Sequence, residues 1–300
     1  MNEPELNAKG MEMGNGMKFF HVYTRGLEDD VIFRDRADYV AGMNYVPVAI
    51  HLSEVYALAF VLMSNHFHFV LCSTKESAEK FIDMYKRLVS RYVSNKYGVR
   101  KILRAVETVC REITSGEEEL KRLIAYALNN PVKAGVNCLP QNYEWGSGQC
   151  YFTNYEPDSM ATPLHEMSVR ARCRTLRSQV DLPKDIEVNA RGYIDPRSYV
   201  QVAYVERLFH SPKSMAFFLS QANRADSKDE GPVAFSDSLV LASLNEILEK
   251  RYESLRLTEL SKEIRGRIMK DLRRQFNCSA KQLARVMGIP LHEVVNQLEK

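Results

Sequence analysis

The chain has 300 residues, 45% of them hydrophobic and 26% charged, and a net charge of +3. This composition is ordinary for a globular protein with a sizeable core, so any nucleic-acid partner must be argued from local charge. The absence of a long apolar run excludes a membrane segment, and the polar N-terminus does not fit a secretory signal. Six cysteines without a Cys-x-x-Cys pair argue against a zinc ribbon or a disulfide scaffold and favour the cytoplasm.

The first third of the chain predicts strands around one helix. A strand is expected over Phe19–Thr24 and a helix over about Arg36–Leu52. Two further strands, Val55–Met63 and His66–Cys72, are separated by Ser64-Asn65. That dipeptide predicts a tight turn, so the two strands should be antiparallel neighbours.

The second strand of this hairpin carries two histidines, His66 and His68, inside an apolar run. Because side chains alternate along a strand, both imidazoles are expected on one solvent-accessible face, with Phe67, Phe69 and Leu71 on the other. Two adjacent imidazoles suit a divalent metal with open coordination positions. The same pair also fits two satisfied polar residues on a half-exposed strand, so the spacing alone leaves both interpretations open.

A long helix is predicted over Glu76–Tyr97 and closed by Gly98, because apolar residues recur at helical spacing. Its other face is basic. A charged face is often only solvated, but an excess of one sign also suits a DNA backbone. The basic residues are Lys80, Lys86, Arg87, Arg91 and Lys96.

A capping box at Ser115–Glu118 predicts the start of another helix, which should end before Pro131. Tyr126 lies off the apolar stripe of this helix, on the same face as Arg122 and Asn130. In that position a tyrosine is either an ordinary surface residue or a nucleophile.

The region 236–300 is predicted to be helical. The spacing of Ala284, Gly288 and Val294 is that of a helix-turn-helix, and it also fits a helical hairpin used only for packing. Nearby basic residues favour DNA binding; they are Lys270, Arg273, Arg274, Lys281 and Arg285.

Several segments together resemble the REP-associated tyrosine transposases, relatives of the single-tyrosine insertion-sequence transposases in the HUH endonuclease superfamily. The segments are Phe20-His-Val-Tyr-Thr-Arg-Gly26, Ile32-Phe-Arg-Asp35, Met63-Ser-Asn-His-Phe-His68, Tyr126-Ala-Leu-Asn-Asn-Pro-Val-Lys-Ala-Gly135 and Tyr143-x-Trp145. They occur in the family's order across residues 17–152. Two features depart from the family: the segment before Ser115 is short, and the chain after residue 155 is longer than in minimal members.

The resemblance implies a ferredoxin-like antiparallel sheet with helices on one side. With the C-terminal helix-turn-helix-like region, which only some members of the family carry, the expected fold class is α+β. The resemblance also implies that His66, His68 and Asn130 bind Mg²⁺ or Mn²⁺ and that Tyr126 is the nucleophile. The implied activity is metal-dependent nicking and strand transfer on single-stranded or hairpin DNA with REP-like palindromes, through a 5′-phosphotyrosine intermediate. The expected DNA contacts are Arg25, Lys86, Arg87, Arg91, Arg122, Lys281 and Arg285.

We therefore expect a flexible tail over 1–16, a nuclease domain over 17–152, a connecting region of undefined role over 153–235, and a helical domain over 236–300. The protein would act as a monomer or homodimer in the bacterial cytoplasm, associated with the nucleoid, and without a membrane partner.

Two other functions compete with DNA cleavage. A catalytically retired transposase would act as a sequence-specific DNA-binding regulator, although an idle site has no reason to keep His66, His68, Tyr126 and Asn130 together. A nucleotide-processing enzyme of the histidine-triad type would need a third histidine where this chain has Val70.

Overall fold

In the computed structural model, the chain folds as an α+β protein in two units. The described residues are 14, 16–25, 27, 30–99, 103, 106–136, 139–153, 160–222, 234–253 and 256–299. Unit 1 comprises residues 1–25, 39–63 and 67–227, and unit 2 comprises residues 26–38, 64–66 and 228–300. The predicted tail over 1–16 lies almost wholly outside the described residues.

The strands are β1 (Lys18–Thr24), β2 (Tyr56–Leu62), β3 (Phe67–Ser73), β4 (Thr108–Glu112), β5 (Thr162–Pro163) and β6 (Glu187–Val188). The helices are α1 (Arg36–Ser53), α2 (Lys75–Tyr97), α3 (Gly116–Leu128), α4 (Asn130–Lys133), α5 (Val169–Leu176), α6 (Val202–Phe209), α7 (Pro212–Ala222), α8 (Asp237–Tyr252), α9 (Lys262–Phe276), α10 (Ala280–Met287) and α11 (Leu291–Leu298). Among the described helices, none is both long and apolar enough to cross a membrane.

A four-stranded antiparallel sheet in the order β2-β3-β1-β4 forms the centre of unit 1. The predicted hairpin is confirmed, with Leu62 opposite Phe67. The predicted strand at β1 is also confirmed, and it lies between β3 and β4. The edge strand β4 was not anticipated, because its Thr-Val-Cys-Arg-Glu sequence is short and only its second and third residues are apolar.

The two faces of β3 are covered by different elements. Phe67 and Phe69 pack edge-on against Tyr85 of α2, with ring centroids 4.9 and 5.1 Å apart. This confirms the apolar stripe of α2, and Gly98 closes that helix in the left-handed conformation, with φ of 69°. On the opposite face, Tyr126 of α3 lies against His68. The antiparallel sheet agrees with the prediction. Helices were expected on one side of the sheet, whereas α3 covers the face opposite to α2.

The start of α3 is stabilised differently from the prediction. The Ser115 side chain makes no capping hydrogen bond within this described segment. Instead the Glu119 carboxylate accepts hydrogen bonds from the backbone N–H groups of Thr114 and Ser115, at 3.0 and 2.8 Å. The helix ends at Leu128, before Pro131 as predicted, but the proline then opens the short helix α4, because proline is well suited to a first helical turn.

Helices α8 to α11 of unit 2 enclose their own apolar cluster, which includes Val240, Leu272, Leu283 and Val294. Gly288 ends α10 with φ of 64°, and α11 begins three residues later. The predicted two-helix motif is therefore present. The Ser279 hydroxyl accepts the N–H of Gln282, which is half of a capping box; the Gln282 amide donates elsewhere, to the carbonyl of Phe235 and to Asp237.

Phe67 offers a test of the core, because it is fully buried against α2. We expect Phe67→Ala to lower the free energy of unfolding by about 3–5 kcal/mol, since it removes a large buried ring. Urea unfolding with an unchanged m-value would measure this loss. Leu139→Ala is the control: that side chain is 65% exposed, so the change should stay within ~0.5 kcal/mol. Equal losses in both variants would contradict this account of the core.

Candidate active site around Tyr126

The site begins with strand β1, which contributes two side chains to the face of the sheet that carries His68. Tyr23 lies directly opposite His68, and His21 lies opposite Val70. Because cross-strand partners share a face, His21, Tyr23 and His68 lie on the same side of the sheet. The rings of His21 and Tyr23 stack, with centroids 4.7 Å apart, and Tyr23 stacks on His68 at 5.4 Å.

The two imidazoles of this face interact directly. Nε2 of His21 lies 3.1 Å from Nδ1 of His68, and both residues are almost completely buried. Burial, and then the positive charge of Arg111, lower the pKa of His21 to about 3. His21 is therefore neutral near pH 7, and one of the two facing nitrogens donates a hydrogen bond to the other.

Tyr126 projects from α3 onto this imidazole pair. Its ring meets both His21 and His68 edge-on, with each centroid 6.0 Å away. The Nζ atom of Lys133, from α4, lies 4.1 Å from the centroid of the Tyr126 ring. Tyr126 itself is half-buried, so the structure places the predicted nucleophile where a substrate can reach it.

The expectation that His66 and His68 lie on a solvent-accessible face is wrong. The exposed fraction is 1% for His66 and 0% for His68. For His68 the reason is that Tyr23, His21 and Tyr126 cover its ring. The ring of His66 is oriented by its neighbour Asn65. Nδ1 of His66 lies 2.8 Å from the acceptor Oδ1 of Asn65, so Nδ1 carries the proton and Nε2 carries the lone pair.

Asn130, the third predicted metal ligand, is buried at the start of α4. Its amide nitrogen donates to the backbone carbonyl of Tyr126 at 3.2 Å. This bond orients the side chain, and its Oδ1 atom is the one suited to a cation. Within the described residues, no group of three or more His, Cys, Asp or Glu side chains is arranged to hold a metal ion.

Tyr126 also lines an open pocket of about 630 Å³ in unit 1. Arg111 of β4 pairs there with Glu119 at 2.7 Å, and the exposed Arg122 lies 3.8 Å from Glu118. The remaining lining comes from Leu123 and from α7, through Phe217, Phe218, Gln221 and Ala222.

A second pocket, of about 620 Å³, lies along α2 and contains the predicted DNA contacts Lys86, Arg87 and Arg91. Lys86 also donates to the carbonyl of Val106 and to the hydroxyl of Thr108, both at 2.8 Å, and burial lowers its pKa. Lys86 thus attaches α2 to the start of β4. Arg87 and Arg91 remain exposed.

The other predicted contacts differ in their surroundings. Arg25 follows β1 and pairs with Glu107 at 3.2 Å at the surface. In unit 2, Lys281 is exposed on α10. Arg285 instead binds Asp237 with two nitrogens, at 2.8 and 3.1 Å, and Asp30 at 2.9 Å. The structure thus gives Arg285 a role within the fold, which its position in a basic cluster did not reveal.

Sequence reasoning missed four residues of this site: His21, Tyr23, Arg111 and Lys133. The signal for the first two was available, because Phe20-His-Val-Tyr23 alternates apolar and polar residues as a half-buried strand does. Arg111 required the unrecognised strand β4. Lys133 lies inside the Asn-Pro-Val-Lys-Ala-Gly segment, but nothing in that segment indicates which ring its ammonium approaches.

Comparisons with known proteins identify no family for this chain. No protein-family model matches the chain, and no curated protein matches it either. A solved structure of a REP-associated tyrosine transposase bound to a REP hairpin is similar to part of this chain. The matched region covers 45% of this chain and 78% of the transposase chain. The sequence identity is 12% and the TM-score is 0.32.

Proposed function

We propose that this protein is a metal-dependent DNA-nicking and strand-transfer enzyme that uses Tyr126 as its nucleophile. The observation that carries the proposal is the placement of a half-buried tyrosine edge-on to the paired imidazoles His21 and His68, at the wall of an open pocket. A tyrosine with only a packing role would not need two histidines and a lysine ammonium around its ring.

The donor atoms of His66, His68 and Asn130 support a divalent cation as the cofactor. His66 and His68 each have Nδ1 in a hydrogen bond with a neighbouring side chain, which is the arrangement that orients metal-ligating histidines. In the tautomer where His68 donates from Nδ1 to His21, its Nε2 atom has the lone pair for coordination. We propose that both Nε2 atoms and Oδ1 of Asn130 hold Mg²⁺ or Mn²⁺, which when bound would stabilise negative charge on a phosphate oxygen.

Tyr126 would carry out the bond exchange. Its hydroxyl oxygen attacks phosphorus, the bond from phosphorus to the 3′ oxygen breaks, and the phenolic proton leaves as the departing oxygen gains one. The products are a 5′-phosphotyrosine and a free 3′ hydroxyl. Nζ of Lys133, 4.1 Å from the ring centroid, places a positive charge beside the attacking phenol. Because the phosphodiester energy is kept in the adduct, a 3′ hydroxyl can reverse the step and join a new strand.

The decisive test is Tyr126→Phe, which removes one oxygen and leaves the ring packing on His21 and His68. We expect the wild type, with Mn²⁺ and a labelled hairpin oligonucleotide, to give a covalent protein–DNA band that survives boiling in detergent. Tyr126→Phe should abolish that band while binding the hairpin with the same affinity, because the hydroxyl is needed only for bond exchange.

Tyr143→Phe is the matched control, because it removes the hydroxyl of another half-buried tyrosine, which donates to the Leu62 carbonyl. It should keep the adduct. A persistent band in Tyr126→Phe would assign the nucleophile elsewhere. Cleavage without any adduct in the wild type would point to activated water, and binding without cleavage would favour a DNA-binding regulator.

His21 should act as a positioning residue for the metal through His68. We expect His21→Leu to weaken Mn²⁺ binding by about 10–100-fold, measured by isothermal titration calorimetry, because losing the partner of Nδ1 frees the His68 ring to reorient. His21→Gln, whose amide can still meet Nδ1, should restore most of the affinity.

His165→Ala removes an exposed histidine outside the site and should leave Mn²⁺ affinity unchanged. If His21→Leu also left the affinity unchanged, His68 would not be a ligand, or it would not depend on His21 for its orientation.

The exposed arginines of α2 should supply DNA affinity without sequence selectivity. We expect Arg91→Gln to make the logarithmic salt dependence of single-stranded DNA binding shallower by about 0.7, the value for one lost phosphate contact. Fluorescence anisotropy across a salt series measures the slope. Arg191→Gln, which alters a surface arginine near Glu144, is the control and should not change it. Identical slopes in all three proteins would exclude this part of α2 as a DNA contact.

A further inference from the structure

Helix α7 belongs to the connecting region 153–235, for which the sequence indicated no role, yet it packs on α3, the helix that carries Tyr126. Its side chain Phe217 is 58% exposed and lines the same pocket as Tyr126. A large aromatic ring that faces solvent beside a candidate nucleophile is placed to contact a ligand, and covering its apolar surface would be favourable.

The position of Phe217 is supported from beneath. Its ring meets Phe218 edge-on at 5.6 Å, and Phe218 in turn meets Phe209 at 5.7 Å. Phe209 is fully buried in α6. This series of aromatic contacts connects the exposed ring to the core of unit 1.

The charges around the pocket suit a nucleotide. Arg111 and Arg122 lie on the α3 side, and Glu119 is already used by Arg111 and by two backbone N–H groups. Glu118 pairs with Arg122 at 3.8 Å across an exposed surface, where ion pairs are weak and easily exchanged. A phosphate can therefore replace Glu118 as the partner of Arg122.

We propose that Phe217 is a stacking platform for one unpaired base of single-stranded DNA, next to the phosphodiester that Tyr126 attacks. The inference rests on the proposed function and extends it by assigning α7 a role in binding the substrate. Stacking on an aromatic ring tolerates any base, because every base has a π-face. The platform would thus select an unpaired strand over a duplex, with sequence selectivity left to other contacts.

The pocket itself favours a base over an apolar protein segment. A hydrophobic partner would gain nothing from burying Arg111, Arg122, Glu118 and Glu119, whose desolvation is costly. A nucleotide presents a flat apolar ring beside an anionic phosphate, and this matches the arrangement of aromatic and guanidinium groups.

The test compares Phe217→Leu with Phe217→Tyr in the full chain carrying Tyr126→Phe, so that binding is measured without cleavage. The probes are fluorescein-labelled oligothymidylate and its duplex with oligoadenylate, followed by fluorescence anisotropy. We expect Phe217→Leu to weaken single-strand binding by about 5- to 150-fold, the range for one lost stacked base, and Phe217→Tyr to retain the affinity. Binding of the duplex should not change in either variant.

Cross-linking locates the base independently of affinity. Irradiation of oligothymidylate with one 5-iododeoxyuridine per strand should attach DNA to the peptide that carries Phe217 and Phe218, as identified by mass spectrometry. Leu139→Ala, an exposed apolar residue outside the pocket, should bind like its parent.

Equal losses on single strand and duplex, or cross-links confined to other peptides, would overturn the proposal. Loss of self-association in Phe217→Leu, with unchanged DNA binding, would instead assign the ring to a contact between copies of this chain. If the wild type forms no adduct but Phe217→Leu still weakens single-strand binding, the proposed nuclease activity is refuted and the stacking platform is retained.

Discussion

The interaction on which the candidate site depends is the hydrogen bond between Nε2 of His21 and Nδ1 of His68. Both rings are buried, and an unsatisfied polar nitrogen there would cost about 1–3 kcal/mol. The bond couples the tautomers of the two histidines, since only one of the facing nitrogens can carry the proton. It therefore connects the orientation of a candidate metal ligand to strand β1, whose central place in the sheet brings His21 beside β3.

The two faces of β3 have different roles, because one packs into the core and the other carries the candidate site. The face with Phe67 and Phe69 is filled by α2 through aromatic contacts, which hold the strand in place. The face with His68 is covered by Tyr126, so the helix that closes the site also supplies its candidate nucleophile. Because α7 packs on that helix, the connecting region becomes part of the site's construction, whatever its role in binding DNA.

Local patterns in the sequence predicted the β2–β3 hairpin, α2 and the helix of Tyr126, because periodicity and turn residues act over a few positions. The pairing of His21 with His68 was not predictable in the same way, since it depends on a register between strands 47 residues apart. The same limit explains why His66 and His68 were wrongly placed on an accessible face. Which face a strand exposes is decided by elements elsewhere in the chain.

Charge shows the same dependence on context. Lys86 and Arg285 belong to basic clusters in the sequence, yet Lys86 bonds to the segment leading into β4, and Arg285 is held by Asp237 and Asp30. The number of basic residues in a sequence cluster thus overestimates how many of them can contact a phosphate backbone. The exposed Arg87 and Arg91 are better candidates than their neighbour Lys86, because contact with DNA would not break the part-buried hydrogen bonds that Lys86 makes.

The turn before His66 is held by contacts within unit 2. The Ser64 carbonyl accepts the N–H groups of Ile32 and Phe33, and its hydroxyl donates to the carbonyl of Ala234. Asp30, on the same loop as Ile32, pairs with Arg285 of α10. Removing the C-terminal helices would therefore take away contacts that hold the turn at Ser64 as well as the candidate helix-turn-helix. Point substitutions of exposed residues such as Lys281 separate these two effects, whereas a truncation combines them.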